Sequence, residues 1–304
     1  MDERLAEGII VRLLSGFYTV RTETGEIVCK LRGRLKQTRQ NETLAAVGDQ
    51  VVISVQADGT GAIEKIGTRK TELFRMAPTA RGEFKQVLLA NLDQALFVFA
   101  CAEPDPSVRM LDRFLVIAEK QHIPSIIVAN KTDLVDKKTA HSVFIVYQNL
   151  GYKVIYTSVK NEVNIDLLKA QLTGKISALS GPSGVGKSSL LNRIQPGLGL
   201  EVGSVKQSSG KGKHTTVVRE LFELEEGGFV ADMPGLRTLS LWDTEPHELD
   251  GYFPELRELV QHCQFNDCSH INEPGCAVRQ AVDEGRVQAV RYESYVRLRM
   301  GDDA

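Results

Sequence analysis

The chain has 304 residues, which is more than a single hydrophobic core usually holds, so two or three domains are expected. Its 37 lysines and arginines are balanced by 39 aspartates and glutamates, and the net charge of −2 argues against a uniformly basic nucleic-acid binder. No apolar run approaches the ~20 residues that span a membrane. The first residues contain no apolar signal segment, so we expect a cytoplasmic protein without a membrane segment.

Residues 8–70 alternate apolar and polar side chains between Gly and Asp turns, a pattern typical of short, half-buried strands. Five short strands in about sixty residues predict a small barrel of the OB type. The predicted strands are Gly8–Leu14, Tyr18–Arg21, Ile27–Leu31, Val51–Val55 and Ala62–Ile66.

A run of basic residues without an acidic neighbour begins in the third predicted strand and continues into the loop after it. These residues could form a solvated loop or could contact the phosphates of a nucleic acid. Aromatic residues are few here (Phe17 and Tyr18), so phosphate contact is favoured over base stacking. The basic residues are Lys30, Arg32, Arg34, Lys36 and Arg39.

Farther along, the apolar run Ser125–Ala129 predicts a buried strand that ends in the sequence Asn-Lys-Thr-Asp, at the sheet edge where such folds bind ligands. Asp133 can accept hydrogen bonds from N1–H and the amino group of guanine, a donor pair that adenine lacks. Asn130 would hold the motif and the base edge, and the Lys131 stem would pack over the base. Alone, this tetrapeptide is a common turn sequence, so the interpretation depends on the motifs that follow it.

The strand Lys153–Thr157 leads into Ser158, Val159 and Lys160, which occupy the place of a Ser-Ala-Lys motif. This segment is predicted to offer a backbone N–H to guanine O6. Three residues are a weak pattern, and the prediction depends on their position after the strand.

Lys175–Ser180 predicts a strand that enters a glycine-rich turn and then a helix, which is the setting of a phosphate-binding loop. The glycines let backbone N–H groups converge on phosphate oxygens. Lys187 would reach the β- and γ-phosphates, and the Ser188 hydroxyl would bind Mg²⁺. The residues predicted around the phosphates are Gly181, Ser183, Gly184, Val185, Gly186, Lys187, Ser188 and Ser189.

The strand Phe229–Ala231 runs into Asp-Met-Pro-Gly, in which Asp232 would hold the Mg²⁺ shell and Gly235 would donate to the γ-phosphate. In the polar, basic loop before this strand, Thr216 or Thr215 is the candidate Mg²⁺ ligand. Leu236 stands where many GTPases place a water-orienting glutamine, so slow intrinsic hydrolysis is expected. His214 is the nearest residue in sequence that could orient water; it could also be a solvated loop histidine.

Five cysteines are present, and Cys29 and Cys101 lie in apolar, strand-like runs typical of buried thiols. The other three group with a histidine, and this spacing can close a tetrahedral, structural zinc site with one zinc per chain. A disulfide framework is the rival interpretation, which a reducing cytosol disfavours. The candidate zinc ligands are Cys263, Cys268, His270 and Cys276.

After this cluster, Val287, Val290, Ser294, Tyr295 and Leu298 recur at helical spacing. The arginines on the same predicted helix could be solvated or could face RNA phosphates, and the sequence does not decide between these roles. The arginines are Arg286, Arg291, Arg297 and Arg299.

The order of the motifs is circularly permuted, because the base-binding motifs precede the phosphate-binding loop. Residues 173–175 link the last helix to the strand of that loop, and the new ends, near residues 235 and 96, should lie on strands side by side in one sheet. We therefore predict an α/β multidomain protein: an OB-like barrel (1–72), a circularly permuted P-loop GTPase domain (73–243) and a helical zinc-binding module (244–304).

This order, the loop Gly181–Ser188, the segment Gly210–Thr216 and the cysteine spacing resemble the RsgA family of GTPases (YjeQ/YloQ) over nearly the whole chain. We expect a monomer that binds GTP or GDP with magnesium. The resemblance implies a factor that acts late in maturation of the small (30S) ribosomal subunit, binds its rRNA and is stimulated by that subunit. It also implies that His214 is catalytic. A different hypothesis is an RNA-binding assembly scaffold in which the nucleotide only sets conformation.

Overall fold

The structure is a computed structural model that describes residues 4–37, 42–79, 82–200, 220–233 and 244–302. Along the chain, a barrel is followed by a two-stranded hairpin, a mostly parallel sheet with helices, and a helical module. No helix within the described ranges is long and apolar enough to cross a membrane.

The N-terminal unit is a closed barrel with the strand order β1-β2-β3-β5-β4, which confirms the predicted architecture. Alternate side chains point inward, and Ile10, Val20, Ile53 and Ile63 are fully buried at its centre. The neighbouring strands are antiparallel except β3 and β5, whose parallel pairing closes the barrel. The strands are β1 (Arg4–Leu14), β2 (Phe17–Thr22), β3 (Gly25–Leu31), β4 (Gln50–Val55) and β5 (Gly61–Ile66).

An antiparallel hairpin of β6 (Glu72–Thr79) and β7 (Gly82–Ala90) leads from the barrel to the second unit. That unit is a sheet with the order β10-β9-β8-β11-β13-β12, parallel except for the pair β12–β13. Its strands are β8 (Gln94–Ala100), β9 (Ser125–Asn130), β10 (Lys153–Tyr156), β11 (Ile176–Ser180), β12 (Phe222–Glu223) and β13 (Phe229–Asp232). Its helices are α1 (Val108–Lys120), α2 (Lys137–Asn149), α3 (Ile165–Leu172) and α4 (Lys187–Ile194).

The strand order corrects one expectation about the permuted ends. Strands β8 and β13 lie in the same sheet, but they are not side by side, because β11 lies between them and pairs with both. The prediction of adjacency was wrong because a helical crossover can skip strands, so chain order does not reveal neighbours in a parallel sheet. The strand that leads into the glycine-rich loop, β11, therefore lies between β8 and β13.

Over the described residues 244–302, the C-terminal module contains a 3₁₀ helix (Pro246–Tyr252) and three α-helices. Phe253 and Tyr295 are buried and meet edge to face with ring centres 5.5 Å apart. Burial of such rings supplies much of the small core of this module. The helices are α5 (Pro254–Val260), α6 (Ala277–Asp283) and α7 (Ala289–Arg299).

A buried arginine joins this module to the sheet domain. The Arg291 side chain is 1% exposed, with Nη1 2.5 Å from Oδ1 of Asp112 on α1 and Nε 2.7 Å from Oε1 of Glu255 on α5. Tyr147 on α2 donates its hydroxyl to the same Asp112 oxygen at 2.7 Å. Neither predicted role of the arginines, solvated or RNA-facing, holds for Arg291, because its side chain is buried and paired with two carboxylates.

Candidate functional site

The glycine-rich turn runs from the end of β11 to the start of α4 and leaves no space for side chains at two positions. Gly181 has φ +153°, and a Cβ there would lie 2.0 Å from the Val98 carbonyl oxygen on β8. Gly186 precedes α4 with φ +96°, and a Cβ there would lie 2.5 Å from Nδ2 of Asn130. The bare backbone therefore curls around the helix N-terminus, whose free N–H groups suit an anion.

Lys187 is the first residue of α4, and its side chain reaches back to this turn, where Nζ donates to the carbonyl oxygens of Gly181 at 3.0 Å and Pro182 at 2.9 Å. This position keeps its positive charge beside the backbone cradle. Ser188 is the next residue on the first turn of α4, so its hydroxyl lies at the same edge of the sheet.

Asp232 ends β13, which pairs with the loop-bearing strand β11. Its Oδ1 is buried and has no hydrogen-bond partner among the residues that the structure describes. Burial raises the Asp232 pKa above its ordinary value, and the nearby Lys187 charge opposes that rise. A buried, unpaired carboxylate oxygen is costly, and a hard cation would satisfy it, so Asp232 and the Ser188 hydroxyl fit an oxygen-liganded Mg²⁺.

Asn130 connects the predicted base-binding motif to the glycine-rich turn. Its Nδ2 donates to the Val185 carbonyl oxygen at 2.8 Å, and its Oδ1 accepts from the Thr157 hydroxyl at 3.0 Å. One side chain thus joins the loops that follow β9, β10 and β11. The neighbouring Lys131 adopts φ +60°, and its ammonium group donates to the Glu103 carbonyl oxygen.

Ser158 contacts the predicted base-reading carboxylate with its side chain. Its hydroxyl donates to Asp133 Oδ1 at 2.5 Å, which orients that carboxylate. Its backbone N–H donates to the Val163 carbonyl oxygen at 3.2 Å. The Ser158–Val163 pair closes the turn and uses the Ser158 N–H. The next N–H groups, at Val159 and Lys160, are therefore the candidates for the predicted contact with guanine O6.

The predicted cysteine and histidine ligands meet in the C-terminal module, where their ligand atoms all lie within 4.8 Å of one another. Cys268, His270 and Cys276 are buried, and Cys263 is half-buried. Burial is the main cause that raises the pKa of the Cys268 thiol, so a thiolate at Cys268 needs a nearby cation. Three sulfurs and one imidazole are the donor set of a closed, tetrahedral zinc site.

One residue that the sequence analysis missed contacts this cluster. Asp250, in the 3₁₀ helix, places Oδ2 3.1 Å from Nε2 of His270. Because Asp250 lies outside the Cys-His spacing pattern, only three-dimensional structure brings it to attention.

The barrel partly neutralises its own basic run. Arg32 and Arg34 both contact Glu64 on β5, at 2.6 and 2.8 Å, so the absence of an acidic neighbour holds in sequence but not in space. Lys30 is exposed, and its Nζ lies 4.9 Å from the ring centre of the half-exposed Phe17. Arg39 and the side chain of Lys36 lie outside the described part of the chain.

Several predicted site residues also lie outside the described ranges, and their roles stay predictions. These are His214, Thr215, Thr216, Gly235 and Leu236. The described segment that follows the first of these, starting at Glu220, contacts the barrel. Leu221 N–H donates to the Val11 carbonyl oxygen at 2.7 Å, and Arg12 Nε donates to Glu220 at 2.8 Å.

Taken together, a glycine-rich turn at a helix N-terminus, the Asn-Lys-Thr-Asp turn that is predicted to read the base and an acidic strand end share one edge of a parallel sheet in permuted order. These features define the class as a circularly permuted P-loop GTPase.

Comparisons with known proteins agree with this class. The RsgA GTPase family model matches residues 66–242, and the RsgA N-terminal domain model matches residues 7–63. The chain is 47% identical to the small ribosomal subunit biogenesis GTPase RsgA of Gemmatimonas aurantiaca, with 96% of each chain covered. It is 43% identical to the protein of the same name from Geobacillus sp., again with 96% of each covered.

Solved structures give the same result. YjeQ from Thermotoga maritima matches with a TM-score of 0.79 and 36% identity, covering 98% of both chains. YloQ, described as a circularly permuted GTPase, matches with a TM-score of 0.74 and 34% identity, covering 98% of this chain and 95% of the other. The chain belongs to the RsgA family of GTPases and hydrolyses GTP.

Proposed function

We propose that this GTPase is a late assembly factor of the small (30S) ribosomal subunit. It binds the rRNA of the subunit, its GTP hydrolysis is stimulated by the subunit, and it leaves after hydrolysis. The similarity to RsgA proteins over 96% of the chain carries this proposal. The barrel and the metal module beside the GTPase sheet support it, because they supply docking surfaces. We also propose a cytoplasmic monomer with domain boundaries near residues 72 and 243.

The nucleotide is held by its two ends. Asp133 accepts from the guanine N1–H and amino groups, while the turn at residues 181–186 and Lys187 surround the phosphates. Ser188, Thr216 and Asp232 hold magnesium, and Gly235 donates its N–H to the γ-phosphate. When bound, Mg²⁺ neutralises charge on the β- and γ-phosphate oxygens.

His214 orients the attacking water in this proposal, because leucine at position 236 cannot. The contacts of Glu220 and Leu221 with the barrel support a link between docking and hydrolysis. Glu220 lies only four residues after Thr216. Because Glu220 contacts the barrel, rRNA that positions the barrel can also position His214 and Thr216.

The Cys-His cluster binds one structural zinc ion, so Cys268→Ala should lose the metal and the helical order after residue 250, while GTP binding persists. The measurements are zinc per chain by elemental analysis and helicity by circular dichroism. Cys29→Ala is the matched control, because Cys29 is also buried but lies in the barrel core. A wild-type chain that is fully ordered without metal would contradict the zinc assignment.

Docking on the 30S subunit should be tighter with a non-hydrolysable GTP analogue than with GDP, and it should weaken as salt rises. In a plot of the logarithm of the binding constant against the logarithm of the salt concentration, Lys30→Ala should lower the slope by about one, as expected for one lost phosphate contact. Arg34→Ala should have a smaller effect because Glu64 already pairs with Arg34. Co-sedimentation with purified 30S subunits measures both.

The control is Lys138→Ala, which removes the same charge from an exposed site on α2. Equal losses for Lys30→Ala and Lys138→Ala would contradict barrel docking.

A further inference from the structure

The two ring nitrogens of His270 face opposite partners. Nδ1 lies 3.5 Å from the sulfurs of both Cys263 and Cys276, whereas Nε2 lies 3.1 Å from Oδ2 of Asp250. A neutral imidazole carries one N–H and one lone pair, so the partners decide which nitrogen carries which. The carboxylate can only accept, so it holds the proton on Nε2 and leaves the Nδ1 lone pair directed at the sulfurs.

We propose that Asp250 is a positioning residue of the metal site, which fixes the Nδ1-binding tautomer and the ring orientation of His270. The inference rests on the metal site proposed above and adds to it a residue that supplies no ligand atom. Carboxylates hydrogen-bonded to a metal-bound histidine also raise the basicity of the ring, which strengthens its bond to the metal.

Both members of this pair are held in place by the surrounding module. The other Asp250 oxygen, Oδ1, accepts from the Gly251 N–H at 2.7 Å. The His270 backbone adopts φ +61°, and its carbonyl oxygen accepts from the Tyr292 hydroxyl at 2.6 Å. The imidazole is fully buried, so the groups packed around it fix its orientation.

Arg299 on α7 connects the two backbone segments that carry the pair. Its Nη1 donates to the Pro246 carbonyl oxygen at 2.8 Å, at the start of the 3₁₀ helix that contains Asp250. The same nitrogen lies 3.0 Å from the Tyr295 hydroxyl, which donates to the Ser269 carbonyl oxygen at 3.0 Å. The distance between Asp250 and His270 is thus set by a network, which favours a positioning role over a chance surface contact.

The test is a zinc titration of the full-length chain in competition with a chromophoric chelator. Asp250→Ala should weaken zinc binding by about 10–100-fold, the usual cost of removing such a partner. Asp250→Asn should fall between this variant and the wild type, because an amide oxygen can still accept from Nε2–H but carries no charge. Glu248→Gln is the matched control, because Glu248 lies on the same 3₁₀ helix but its carboxylate pairs with Lys120. This variant should keep the wild-type zinc affinity.

A second readout uses the wild-type protein alone, so it does not depend on variants that fold poorly. The ¹⁵N shifts of the His270 ring in the zinc-loaded chain should show a protonated Nε2 and a metal-bound Nδ1. Metal on Nε2, or Asp250→Ala with wild-type zinc affinity, would overturn the role of Asp250 while leaving the zinc site intact. A wild-type chain that binds no zinc would instead overturn the metal site itself and the Asp250 proposal with it.

Discussion

Asp133→Asn should weaken GTP binding at least tenfold and should improve the binding of xanthosine triphosphate. Loss of a charged hydrogen bond costs about 1.5–3 kcal/mol, and 1.4 kcal/mol corresponds to a factor of ten. The Ser158 hydroxyl donates to Asp133 Oδ1, so in the variant it would hold the amide oxygen and turn the amide nitrogen towards the base. That nitrogen opposes the guanine donors but suits the extra carbonyl of xanthine.

Equilibrium titration with fluorescent analogues of both nucleotides measures the change. Asp166→Asn serves as the control, because it makes the same substitution at an exposed position on α3 and should leave both affinities unchanged. Unchanged GTP affinity in Asp133→Asn would remove the base-reading role from this turn.

Arg291→Ala should destabilise the chain by about 3–5 kcal/mol, the usual cost of removing one partner from a buried ion pair. The substitution leaves the Asp112 and Glu255 carboxylates buried without their shared cation. It also removes the guanidinium that lies 4.6 Å from the Phe253 ring centre. Because Asp112 belongs to the sheet domain and Arg291 to the C-terminal module, the docking of the two units should loosen.

Urea unfolding followed by circular dichroism, together with hydrogen exchange of α7, measures this loss. Arg286→Ala is the control: Arg286 is exposed, pairs with Glu284, and should cost at most about 1 kcal/mol, as surface pairs do. If both variants unfold at the same urea concentration, Arg291 does not support the docking of the module.

Local pattern predicted much of this molecule. The period-2 alternation of residues 8–70 predicted the barrel, because only alternating side chains fit a sheet with one buried face. The glycine-rich loop was predictable because glycines between a strand and a helix allow a close approach of the backbone to other groups. In the structure, this backbone does approach Val98 and Asn130 closely. The Cys-His spacing likewise predicted four atoms that do meet in space.

Pairings between distant residues were not predictable. Arg291 meets Asp112 across 179 positions and Glu255 across 36, and no spacing rule joins buried charges over such lengths. The same reason hides the pairing of Arg32 with Glu64 and the position of β11 between β8 and β13. The roles of His214 and Thr216 remain predictions from sequence, because both lie outside the described ranges.

GTP turnover in the presence of purified 30S subunits tests the central claim most directly. The rate should be slow for the chain alone and should rise by about 10²-fold or more with 30S subunits. His214→Ala should bind GTP normally but lose most of that stimulation, as expected for a group that acts only in the transition state. Equal stimulation by 30S subunits and by an unrelated RNA, or no stimulation at all, would contradict the claim that the small subunit is partner and activator.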